Sequence, residues 1–318
     1  MEKAYPFSAV LAHDFSAGKF TILVLPSCLA EPGNAAEVAS VIDAQIERTK
    51  PRLVFFIGDV TRRLADENAL RAVLDVVLAP ILTRKLPFAH VFGDMDSAAG
   101  LSNETAMAVY RSYPGCLSVP GDADIDGCGN YTLAIVDKAE RIPVAWLCML
   151  DSHSAIHAYE RKYGKPDADG AYPCARLPQP LYGKYYMDGI HFCQTMYYCR
   201  ASWEIERVYG EKQPAVLFFH MPPPEFSLVV MNQGNCRVTG IQREAVRTQV
   251  VNGGIFASAL DRGDVRAIYA AHSAVNNWYG TFGGVCVGQM MDLGTENGAT
   301  VVSIDADGTV SEAYSTIV

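Results

Sequence analysis

Pro51-Arg-Leu-Val-Phe-Phe-Ile-Gly-Asp59 holds five consecutive apolar residues, Leu53–Ile57, and closes on a glycine and a carboxylate. A short apolar run ending in a turn residue reads as a strand. Upstream lie another apolar run, Phe20–Leu25, and a helix-period segment over 35–48. Downstream comes a second helical segment, 66–83, in which Leu70, Val73, Leu74, Val77 and Ile81 recur every three or four residues. Pro87 follows its end, and a further strand is expected over 88–92. Strand, helix, strand, helix, strand in that order implies a parallel sheet with helices packed on it.

Beyond residue 116 the pattern changes. Residues 131–136 and 144–150 read as strands separated by a short charged turn, 137–141, which is the pattern of an antiparallel hairpin. The stretch 164–184 contains four prolines and three glycines and is expected as an irregular surface excursion. Ile190, Cys193, Tyr197, Ala201, Ile205 and Val208 form one helical stripe leading into a strand over 215–219. A helix near 255–260 precedes a strand over 265–270. Residues 285–287, 300–304 and 310–314 read as a meander with a tight turn at Asp305-Ala-Asp-Gly308. The expected fold class is α/β with mixed α+β character: two mixed β-sheets in a sandwich flanked by helices. An N-terminal extension is expected over 1–17 and a single domain over 18–318.

The chain has 318 residues, half of them apolar, with 26 basic and 35 acidic side chains for a net charge of −9. That composition supports a substantial core and excludes disordered, collagen-like and coiled-coil chains. The acidic balance argues against a nucleic-acid partner. No apolar run approaches the roughly 18 residues of a membrane span. Nine cysteines without a CxxC pair read as buried free thiols in a reducing compartment, so a cytoplasmic location is expected.

Ligand sites in open α/β sheets form past the carboxyl ends of strands. Asp59 lies past one such end, Asp94 and Asp96 past another, His220 past a third and His272 past a fourth. Carboxylates and imidazoles together suit zinc, iron or manganese. Asp122-Ala-Asp-Ile-Asp-Gly127 begins like a calcium loop, but the twelfth position is Leu133 where a bidentate Glu is required. It reads as an acidic approach to the hairpin.

In these motifs the chain resembles the calcineurin-like metallophosphoesterases, on their purple-acid-phosphatase-like branch. The resemblance rests on Gly18-Lys-Phe-Thr-Ile-Leu, the segment 51–59, Gly127-Cys-Gly-Asn-Tyr-Thr-Leu133, Phe218-Phe-His-Met-Pro-Pro-Pro-Glu-Phe226, Asp261-Arg-Gly-Asp-Val265 and His272-Ser-Ala-Val-Asn276. It implies the metallophosphoesterase fold over nearly the whole chain, and it implies degenerate metal-binding motifs. The family's Asp-x-His is replaced by Ser27-Cys28-Leu29, its Gly-Asn-His-Asp/Glu by Gly93-Asp94-Met95-Asp96, and its Gly-His-x-His by Ala271-His272-Ser273-Ala274. Three ligand positions have thus become Ser27, Leu29 and Ala274, and the histidine that assists the leaving group has become Met95.

The losses fall on one of the family's two metals. The resemblance implies that the first metal loses three of its four ligands, whereas the set for the second survives as Asp59, Asp94, His220 and His272. One divalent ion, Fe, Mn or Zn, is therefore expected in place of the usual two-metal centre. A single ion cannot reproduce the two-metal clamp, and a thioether at Met95 cannot act as general acid. The expected function is that of a pseudophosphatase acting as a binding or scaffold protein with a protein partner. The alternative is a mononuclear metal-dependent phosphoesterase working through the surviving half-site, and a third reading is a sensor of small anions.

Overall fold

In the computed structural model, which describes residues 6–96, 101–140, 142–154, 188–231, 236–249 and 252–317, the run Leu53–Ile57 is strand β3. All five of its side chains are buried. It lies between β2 (Phe20–Leu25) and β4 (Phe88–Val91), parallel to both. The connections are helix α1 (Ala35–Thr49) and the pair α2 (Glu67–Val77) and α3 (Ala79–Thr83). The helix expected over 66–83 is broken in two at Leu78. Pro80 has no N–H to continue the ladder, and its ring would clash with the carbonyl four residues back.

This smaller sheet is completed by β12 (Gly298–Ile304), antiparallel to β2, and by β13 (Val310–Thr316), antiparallel to β12. The larger sheet has eight strands. Their spatial order is β1 (Ala9–His13), β5 (Tyr131–Asp137), β6 (Pro143–Met149), β7 (Ala215–Phe218), β9 (Val265–Ser273), β11 (Val285–Met291), β10 (Asn277–Phe282) and β8 (Val238–Ile241). β5 and β6 form the expected antiparallel hairpin.

Two expectations are corrected. Part of the segment expected as an N-terminal extension, 1–17, is strand β1, which adds in parallel to β5 at the sheet edge. The three tail strands do not form one meander: β12 and β13 pair across the 305–308 turn, whereas β11 lies in the other sheet, parallel to β9. Pairing of distant strands is invisible to a local pattern. The excursion expected over 164–184 lies outside the described residues.

Period-two alternation explains the layers. Phe20, Ile22, Val24, Phe55 and Ile57 point between the sheets and meet Tyr131, Leu133, Ile135, Leu147, Met149 and Phe218. Phe55 and Phe218 touch across the gap with ring centroids 4.7 Å apart, a contact worth roughly 0.5–1.5 kcal/mol beyond its area. The alternate residues Leu23, Leu25, Val54 and Phe56 pack under α1 and α2. The fold is thus two mixed sheets face to face with helices outside. Among the described residues no helix is long and apolar enough to cross a membrane.

Candidate metal centre

Two glycines bring the strand ends together. After β3 the chain turns through Gly58 and Asp59, both with positive φ, +87° and +54°. A Cβ on Gly58 would lie 2.4 Å from Nδ1 of His220, and one on Gly93 would lie 2.1 Å from Oδ1 of Asp59. Only glycine leaves room for this approach.

His220 is fully buried beyond β7. Its Nδ1 lies 2.9 Å from the carbonyl of Ile57, and because a carbonyl can only accept, Nδ1 carries the proton. Nε2 then faces the carboxylates, 3.2 Å from Oδ2 of Asp59 and 3.4 Å from Oδ1 of Asp94. The same Asp94 oxygen is 3.7 Å from Nε2 of His272. Nε2 of His220 makes no hydrogen bond, so its contacts with the two carboxylates are charge contacts with poor angles. Asp59 spends its other oxygen, Oδ1, on the amide of Met95 at 2.8 Å.

The electrostatics are those of a cation site. Burial opposes charge on His220, yet Asp59 and Asp94 hold its pKa well above the usual imidazole value. Burial also opposes charge on Asp94, and His220 and His272 overcome it and lower its pKa. Burial, reinforced by the neighbouring His220, lowers His272. Asp94, His220 and His272 offer ligand atoms within 4.8 Å of one another. A buried ring nitrogen with no hydrogen-bond partner, aimed between two carboxylates, fits a divalent ion.

No family model matches the chain. Sequence relatives are nonetheless clear. The chain is 26% identical over 258 residues to "Probable inactive purple acid phosphatase 14" of Arabidopsis thaliana, covering 77% of this chain and 59% of the relative. It is 26% identical over 254 residues to "Probable inactive purple acid phosphatase 29" of the same plant. Over 132 residues, 40% of this chain, it is 31% identical to "Phosphatase DCR2" of Saccharomyces cerevisiae. It spans about three-fifths of the length of the plant relatives. A dimetal phosphatase from Danio rerio has the same fold, with a TM-score of 0.61 at 12% identity over 93% of this chain and 98% of that one.

These relatives and the shared fold support kinship with the calcineurin-like metallophosphoesterase superfamily, on its purple-acid-phosphatase-like branch.

Two of the positions that depart from the family pattern have left-handed backbones. Ser27 and Leu29 have φ of +35° and +51°, and Leu29 N–H donates to the carbonyl of Asp59 at 2.9 Å. The left-handed region suits Asp, Asn and His far better than Leu. Met95 contributes its amide to Asp59, and the Ala274 carbonyl accepts the Thr295 hydroxyl at 2.7 Å.

Two carboxylates differ from their reading in sequence. Asp96, grouped with Asp94 as a strand-end candidate, instead braces the loops: it accepts from the amides of Thr61 at 2.8 Å and Gly93 at 3.0 Å. Burial and the adjacent Asp59 push its pKa up to about 7. Asp292 was missed. It follows β11, lies beside Ser27 and feels the charges of Asp59 and Asp94, and burial raises its pKa. Its signal was the strand-end rule itself, since β11 runs to Met291, four residues past the stretch expected from its apolar run.

Proposed function

We propose that this chain is a pseudophosphatase: a metallophosphoesterase-fold protein that holds one divalent ion, Fe, Mn or Zn, on Asp59, Asp94, His220 and His272, and serves as a cytoplasmic binding or scaffold protein for a protein partner. The chain from β1 onward is read as one domain carrying that surface. The observation that carries the proposal is the selective replacement of one half-site, Ser27, Leu29 and Ala274, together with Met95, beside a second half-site whose side chains converge.

A divalent ion there would supply Lewis acidity and lower the pKa of a water. The protein's own part is narrower. Asp59 and Asp94 provide charge, His220 is held in one tautomer by Ile57, and His272 closes the set. Nothing at position 95 can pass a proton to a leaving oxygen, a loss that typically costs roughly 10²- to 10⁴-fold. Leu29 and Ala274 present apolar groups where a second cation and a phosphate would need polar ones. The word "inactive" in the names of both plant relatives supports this reading. So does the fold's use in "GAP50 the anchor in the inner membrane complex of Plasmodium", at a TM-score of 0.50 and 9% identity.

The test pairs metal content with turnover. Asp59→Asn and His272→Ala are each expected to hold about one metal equivalent fewer than the wild type. Hydrolysis of p-nitrophenyl phosphate and its diester should be no faster in the wild type than in either variant. Turnover that is present in the wild type and lost in both variants would overturn the proposal and establish the mononuclear phosphoesterase, a reading favoured by the convergence of Asp94, His220 and His272.

A further inference from the structure

A second cluster of metal-ligating groups lies outside the family's centre. Beyond β6 the chain runs through Asp151, Ser152 and His153, next to the end of β7, where the Ser152 hydroxyl accepts the amide of Met221 at 2.8 Å. His153 has a left-handed backbone, φ +61°. Its ligand atom and those of Asp188 and His191 all lie within 4.8 Å of one another. Asp188 is buried and His191 largely so, with a side chain 17% exposed.

Hydrogen bonds link these residues to one another and to the groups behind them. Nε2 of His191 faces Oδ1 of Asp188 at 2.9 Å, and its Nδ1 is engaged by Oδ2 of Asp126 at 2.8 Å. A histidine that binds metal through one nitrogen commonly has the other hydrogen-bonded to a carboxylate or a carbonyl. His153 shows the carbonyl version, with Nδ1 3.0 Å from the carbonyl of Gly189. The segments are fixed to one another. Asp151 accepts the amides of Cys128 and His153. Gln194 bridges Asn130, the Asp151 carbonyl and the His191 amide.

We propose that His153, Asp188 and His191 form a second divalent transition-metal site, with Asp126 orienting His191 from behind. Two imidazoles and one carboxylate are a ligand set for zinc, iron or manganese, and with Asp126 included the charges sum to zero around a divalent ion. The two rings stack at 4.1 Å with 15° between their planes. An ion shared by both lies in the plane of each, so ligation turns the His153 ring out of the stack about its soft Cβ–Cγ torsion and gives up its Nδ1 contact with the Gly189 carbonyl. The competing occupant is a proton, which would leave His191 as an imidazolium between two carboxylates.

The inference is independent of the proposed function and is tested where that site is disabled. In an Asp59→Asn/His272→Ala background, titration with Co²⁺ is expected to give about one bound equivalent with visible d–d bands. Adding His153→Ala, Asp188→Asn or His191→Ala should each reduce that uptake to near zero, with circular dichroism checking the fold. His153→Ala removes a partly exposed ring and is the mildest of the three. Absence of Co²⁺ and Zn²⁺ uptake by the background protein at excess metal would overturn the site in favour of the proton. Uptake unchanged by all three substitutions would overturn it too. Failure of the proposed function reads differently: the wild type and the background would then bind equal amounts.

Discussion

The Nδ1–H of His220 donates to the carbonyl of Ile57 at 2.9 Å, and this bond joins the two sheets, because Ile57 ends β3 of the smaller one and His220 follows β7 of the larger. It fixes the imidazole so that Nε2 points at Asp59 and Asp94. The bond needs β3 to approach without a side chain at Gly58.

Gly58→Ala should therefore break the centre. At φ +87° an added Cβ is strained, and it would overlap the His220 ring. The expected cost is ~1–3 kcal/mol, with loss of about one metal equivalent. Urea denaturation and elemental analysis check both, and full stability with full metal content would contradict the geometry.

Restoring the lost side chains should restore chemistry in steps. Ser27→Asp/Leu29→His/Ala274→His together are expected to add about one metal equivalent, since the backbone at 27 and 29 is already left-handed. Met95→His on that background should then raise phosphate-ester turnover by at least ~100-fold, the low end of general-acid assistance. Met95→His alone should leave turnover unchanged.

Stability should carry a pH signature from the core. His90 is buried, stacked on Tyr110 at 3.9 Å and hydrogen-bonded through Nδ1 to Ser118 at 2.8 Å. Burial pushes its pKa down to about 3. Between there and the unfolded value of about 6.5 the unfolded chain binds the extra proton, so the stability this group supports is complete above that window and is lost as pH falls through it. Asp96, raised to about 7, has the opposite sign, and its contribution is lost as pH rises. His90→Phe removes the first slope and leaves the second. Its stability relative to the wild type should fall with rising pH, by at most about 1.4 kcal/mol per unit, between about pH 4 and 6.5. Parallel profiles in urea would refute this.

Asp264 should matter to folding and not to metal. It is buried and accepts the hydroxyls of Tyr198 and Ser202, and Ser202 in turn accepts from Arg262. Asp264→Ala strands those donors and is expected to cost ~2–4 kcal/mol, with metal stoichiometry unchanged in the folded fraction.

The local elements were legible because their signals are short-range. Leu53–Ile57, the α2 stripe and the β5–β6 hairpin each declare themselves within a dozen residues. The strand-end rule singled out Asp59, Asp94, His220 and His272, residues up to 213 positions apart in the chain, which the fold gathers at one edge. It erred at Asp96, whose backbone partners no pattern shows, and it missed Asp292 because β11 outlasts its apolar run.

By itself the sequence determined the residue types: which strands are buried, where glycine permits a turn, and which polar groups were exchanged at 27, 29, 95 and 274. Only the tertiary structure decided relations between distant groups. It placed β11 with β9, set the tautomer of His220, made Asp96 a brace and gathered Asp126, His153, Asp188 and His191 into one cluster. Such relations depend on side-chain direction and on contacts across tens to hundreds of residues, where hydrophobic periodicity carries no information.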